Sequence, residues 1–132
     1  MKLGDFDLAS QAESGFTFNL AHPVSGEKLD AQITVRGHDS PTYRNATYAI
    51  VERIKAIKEP EKRPQEDRDK DGAELLAAVT VGWENIEDDQ GQPITFSKEK
   101  AVEIYLQFDW IAEQVKREVY NRHNFFLTLQ KD

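Results

Sequence analysis

The turn Glu87-Asp88-Asp89-Gln90-Gly91-Gln92-Pro93 constrains this chain more than any other feature. Acids, a glycine and a proline within seven residues stop any regular element that enters them. Apolar residues flank the break, Trp83 and Ile86 before it and Ile94 and Phe96 after it. The chain must therefore fold back there as a packed corner. Ser97 follows at the place of a helix cap, where its hydroxyl accepts an orphan N–H of the first turn. From Ser97 a helical pattern runs to Phe126. Upstream, Leu75, Leu76, Val79, Val81, Trp83 and Ile86 read as apolar contacts of another helix, weakened near its end by Thr80 and Gly82. The expected device is a corner that sets two helices against each other.

Two short segments in the N-terminal part have a different period. Phe16-Thr-Phe-Asn-Leu20 and Ala31-Gln-Ile-Thr-Val35 alternate apolar and polar residues, which places one face on a core and one in water. The loop between them carries Pro23 and Gly26. This predicts an antiparallel hairpin over about 15–22 and 28–36. A two-stranded hairpin is marginal in water and must pack on helices or on another chain. Gly37 to Pro41 closes the second strand and opens a helix over 40–58, with Asp39 or Ser40 as cap and Pro41 at its first position. Tyr43, Ala46, Tyr48, Ile50, Val51, Ile54 and Ile57 form its apolar stripe.

Residues 1–14 are small, polar and acidic, with Leu3, Phe6 and Leu8 as the only large apolar groups, and read as a loose arm or a short edge element. Residues 58–71 hold 11 charged groups and two prolines with no apolar side chain. A segment of that composition does not bury enough surface to offset its ordering entropy, so a flexible charged linker is expected. Asp71 with Glu74 then resembles a capping box for the next helix. The last helices draw on Val102, Ile104, Tyr105, Leu106 and Phe108, then, after Asp109 as a fresh cap, on Ile111, Val115, Val119 and Tyr120. The expectation is one α+β domain over residues 1–132, mostly helical. Its N-terminal β-hairpin packs on about four α-helices, and residues 72–126 make the helical part.

Chemistry finds little purchase. Zero cysteines exclude disulfides and thiolate metal sites. Asp67, Asp69, Asp71 and Gly72 match the opening of a calcium-binding loop, but its twelfth position, which needs a bidentate glutamate, is Ala78. His22, His38 and His123 are far apart and form no metal-binding pair. There is no nucleophile elbow and no phosphate loop. No enzyme activity, metal or cofactor is expected. Net charge is −7, and residues 73–132 carry 11 acidic against 6 basic groups. Phosphate backbones repel such a surface, so nucleic acid is not an expected partner. No apolar run approaches the length of a membrane span, and Met1 to Asp5 lacks the apolar core of a signal peptide. A cytoplasmic protein is expected.

The aromatic residues are the candidates for binding. Trp83, Phe96, Phe108 and Trp110 are expected to form a core around the turn. Phe125, Phe126, Leu127 and Leu129 are unusually apolar for a chain end, and such a cluster docks back or docks on a partner. The protein-binding candidates are Trp83, Phe96, Trp110, Phe125, Phe126 and Leu127.

The stretch GWENIEDDQGQPITFSKEKAVEIYLQFDWIAEQVKREVYNRHNFF resembles the tail assembly chaperones of long-tailed, lambda-like bacteriophages and prophages. The resemblance lies in Trp83 before the acidic D-x-G-x-P turn, then Phe96-Ser97, a helix, Trp110 followed by Glu113-Gln114-Val115, and the closing R-x-x-F-F. It covers about a third of the chain. HPVSGE and RGHDSPTY extend it more loosely over the hairpin and the first helix. The resemblance implies a non-enzymatic protein of the host bacterial cytoplasm that binds the tape measure protein and helps tail tube protein polymerise around it. It implies absence from the mature virion and a longer frameshifted form in many phages. Self-association is expected on separate grounds, because the hairpin edge and the tail helix offer surfaces that a lone copy leaves uncovered. The alternatives are a structural minor tail or head-tail connector protein, a small-molecule binder or enzyme, and an unrelated bacterial adaptor.

Overall fold

A computed structural model describes residues 1–126. Leu127 and Leu129, named above, lie outside the described residues. In chain order the elements are α1 (Leu8–Ser14), β1 (Phe16–Ala21), β2 (Lys28–Val35), α2 (Pro41–Lys55), α3 (Gln65–Ala78), β3 (Thr80–Glu84), α4 (Lys98–Gln107), α5 (Asp109–Val119) and α6 (His123–Phe126). Short 3-10 turns precede α1 and α3. The class is α+β and mostly helical, as expected.

The hairpin forms where the alternation places it and gains a third strand. The sheet is antiparallel throughout, in the order β1-β2-β3. Phe18 pairs with Ile33, and Ile33 with Trp83, so all three share one face. That face turns onto the helices, and Ile33 and Val35 are completely buried. The other face is polar: Thr17 and Thr34 join hydroxyls at 2.6 Å. A register shift between Thr34 and Val35 lets Val81 bulge out of β3, which leaves it exposed beside buried Thr80.

Strand β3 corrects the reading of Val79–Ile86 as the end of a helix. Thr80 and Val81 are β-branched, and the segment pairs with the free edge of β2, Ile33 with Trp83 and Gln32 with Glu84. The corner therefore joins a strand to a helix. Its turn is closed by the Ile94 N–H donating to the Ile86 carbonyl at 2.8 Å, with Gly91 at φ 76°. Ser97 caps α4 through the Lys100 N–H at 3.0 Å, and Ser40 caps α2 through the Tyr43 N–H at 3.1 Å. Asp109 opens α5 but makes no capping hydrogen bond; Phe108 holds the cap position.

Two further expectations are overturned. The second half of 58–71, read as a flexible linker, is helical: α3 begins at Gln65, so Asp71 lies inside it and caps nothing. Ionic contacts take the place of apolar burial. Asp71 accepts from Arg63 at 2.7 Å and from Arg53 of α2 at 2.6 Å, and Arg53 also reaches Glu74 at 2.8 Å. Residues 1–14 are no loose arm either. Gln11 and Ala12 of α1 are buried, and Glu13 receives both the N–H and the hydroxyl of Thr42, at 3.0 and 2.6 Å.

The exit of β2 is the point where these elements meet. Three successive N–H groups donate to three different parts of the chain: Arg36 to Val79, Gly37 to Ala12 and His38 to Val119, at 2.8, 2.9 and 3.0 Å. Gly37 has no room for a side chain, since a Cβ there would sit 2.7 Å from the Phe125 ring and 2.9 Å from Ala12 Cβ. At the far end of the hairpin, Gln114 of α5 is buried and closes a pair of 2.9 Å hydrogen bonds with the N–H and carbonyl of Ala21. The amide stands in for a neighbouring strand and satisfies both backbone groups.

Candidate protein-binding groove

The aromatic candidates separate into distinct places. Trp83 and Phe96 pair edge to face at 4.9 Å, and the Trp83 Nε1 donates to the Ile94 carbonyl at 2.7 Å. Both are half-buried against the core and hold the corner. Trp110 is half-buried on α5. Phe125 is buried and meets Phe16 edge to face at 6.2 Å, so this part of the tail cluster docks back on the domain. Phe126 is half-buried and stacks on Phe6. Phe108, expected in the core, is 40% exposed because it caps the bend between α4 and α5.

A concavity of about 560 Å³ lies elsewhere, between α3, α4 and α5. One wall is α3, presenting Arg68, Asp69, Gly72, Leu75 and Leu76 at helical spacings of three and four. The opposite wall is α5, presenting Asp109, Ala112, Glu113 and Lys116 at the same spacings. Tyr105 and Leu106 of α4 and Tyr120 after α5 complete the lining. Leu106 and Tyr120 are 41% and 42% exposed. Gly72 faces open space: nothing stands within 4 Å of a Cβ placed there.

The groove has a fixed frame. The Tyr105 hydroxyl bonds Thr80 Oγ1 at 2.7 Å, and that hydroxyl donates to the Leu76 carbonyl at 2.8 Å. Burial pushes the Tyr105 phenol up to about 12, so it stays neutral. Tyr120 is held by the hydroxyl of Tyr43 and by the His38 ring 5.0 Å away. Burial, then the bond to Tyr120, raises the Tyr43 phenol too. Nearby, the bidentate hydrogen bonds of Arg122 hold the Asp39 carboxyl below its usual range.

The acidic residues suggestive of a calcium loop sit on α3, where Asp67 and Asp71 share one side of the helix and Asp69 faces another, so the three do not converge as loop ligands do. Among the described residues no group of three or more histidine or carboxylate side chains is placed to hold a metal ion. No described helix is long and apolar enough to cross a membrane.

Sequence reasoning missed this groove because Arg68, Asp69 and Gly72 fall in, or next to, the stretch read as linker. The available signal was Gly72, Leu75 and Leu76 at spacings of three and four, continuing a helical face back from Leu76 into the charged run.

A three-stranded sheet backed by helices, with an open interhelical groove, defines a small α+β domain. Residues 38–132 match the family model described as YdaY prophage protein. The chain belongs to this family of prophage proteins. The match includes β3 and α2 to α6, while α1 and the β1–β2 hairpin lie outside it. No curated protein and no solved structure matches the chain.

Proposed function

We propose that this prophage protein is a non-enzymatic tail assembly chaperone that binds the tape measure protein and promotes tail tube assembly. The observation that carries the reading is the open groove with Leu75, Leu76, Leu106 and Ala112 in its lining. An amphipathic helix lays its apolar face into such a groove, the usual way one chain holds a helical segment of another. A long helical partner is what the resemblance of the Trp83–Phe126 stretch to tail assembly chaperones implies, and membership of a prophage family is compatible with it. The acidic surface suits a chaperone that stays soluble in the host cytoplasm while carrying apolar cargo. The shifted carboxylates Glu13, Asp39 and Asp71 all serve contacts between elements, a structural use that fits a binding protein.

Co-expression with the gene directly downstream tests the reading. A specific soluble complex with a long helical protein, and no copy of the chain in purified particles, is the expected result. A fixed number of copies in mature particles would replace it with the structural reading, a minor tail or head-tail connector protein.

A further inference from the structure

Helix α2 carries a second surface that the domain leaves unused. Arg44, Tyr48, Val51 and Lys55 follow one another at spacings of four, three and four, and so share one face. All four are exposed, Tyr48 by 62% and Val51 by 41%. The half-buried stripe of α2, Tyr43, Ala46, Thr47, Ile50 and Ile54, takes another side of the helix. The outer face is an apolar pair bracketed by two cations. Glu52 lies at its border and meets Lys55 at 3.3 Å.

The groove between α3, α4 and α5 is the complement of this face. Leu75, Leu76, Leu106 and Ala112 give its lining apolar groups to meet Tyr48 and Val51, and Asp69, Asp109 and Glu113 give it carboxylates to meet Arg44 and Lys55. Among the described residues none of these three carboxylates forms an ion pair. The lining also holds Arg68, which donates to the Glu61 carbonyl at 3.3 Å, and Lys116. Arg44 to Lys55 and Asp109 to Val119 are helical spans of similar length, about 15–16 Å. Gly72 and Ala112 let a helix backbone approach closely. The α2 of the same chain is committed to α3 through Arg53, with its outer face turned away.

We propose that the groove is the seat of the α2 outer face of a second copy of this chain. The contact is heterologous: a surface of one copy meets a different surface of the next, so each pair leaves one groove and one α2 face free. Resting on the reading of the groove as a helix-binding surface, it gives that groove an occupant before any partner arrives. A partner helix of like pattern then displaces the neighbouring copy.

The test is sedimentation of the full-length chain from about 1 μM to about 1 mM, without any other protein. The wild type is expected to associate as concentration rises, weakly, as a contact the size of one helix face implies. Gly72→Leu fills the groove at a position with open space and strong helix preference. Val51→Glu spoils the α2 face at an exposed position. Each variant alone is expected to weaken association at least about tenfold. An equimolar mixture of the two restores a one-to-one pair, because one variant keeps an intact groove and the other an intact α2 face. A monomeric wild type, undiminished association in either variant, or a mixture no better than its components would overturn the proposal. These outcomes do not involve the tail partner, so they are separable from the result of co-expression.

Discussion

Helices α2 and α5 join the domain by opposite means. α5 buries Ile111, Val115 and Val119 against the sheet and the helices, two of them completely, and adds Gln114 to the hairpin edge. α2 is longer, yet it has no buried residue. Its half-buried stripe is supplemented by Ser40, by Glu13 at its first turn and by the bridges of Arg53 to Asp71 and Glu74. The hydrophobic effect scales with the apolar area removed from water, so the α5 side holds most of the stability. The α2–α3 side is organised by charge, which responds to salt and pH and leaves apolar groups free to meet another chain. The two sides should answer perturbation differently.

The largest difference is expected from cavities. Ile33→Ala, beneath α5, should destabilise the fold by about 2–5 kcal/mol, and Val51→Ala on α2 by less than about 0.5 kcal/mol, read as denaturant midpoints. Similar losses at both positions would erase the contrast. Next comes Gly37→Ala, whose Cβ must displace both the Phe125 ring and Ala12, at a cost of about 1–3 kcal/mol.

Asp71→Asn separates the two sides by pH. Burial disfavours its charged form, but hydrogen bonds from Arg63 and Arg53 outweigh that and hold its pKa below the usual carboxylate value. A carboxylate depressed in the fold stabilises above its unfolded pKa, near about 4, and loses that contribution as pH falls through the folded value. The variant should be less stable by roughly 1 kcal/mol at pH 6, and the gap should close below about pH 4 and shrink in about 1 M salt. The Ile33→Ala gap should persist under both conditions. The smallest effect has the opposite sign: Gly72→Ala, in an open helix interior, should stabilise by up to about 1 kcal/mol, seen as a higher Tm.

The same contrast explains what the sequence makes legible. Elements built on apolar periodicity and capping chemistry can be read: the hairpin within a residue of its ends, Ser40 and Pro41 opening α2, Ser97 opening α4, and a break at Asp109. The first half of α3 cannot be read by burial, since its side chains are charged and their partners Arg53 and Arg63 come from other elements. Strand β3 was hidden because its identity depends on the exposed edge of β2, a tertiary context that overrides local helix readings. The groove combines α3 with two helices some thirty to forty residues away. The aromatic candidates were visible as apolar residues, but whether each faces core or solvent is set by the packing of α6 and the corner.

The most direct test of a groove that receives a helix is amide hydrogen exchange on the full chain, alone at low concentration and in complex with the co-expressed helical protein. The expected result is added protection in α3, α4 and α5, with the hairpin at 16–35 unchanged. Protection added in the hairpin, with these three helices exchanging as they do in the free chain, would contradict it.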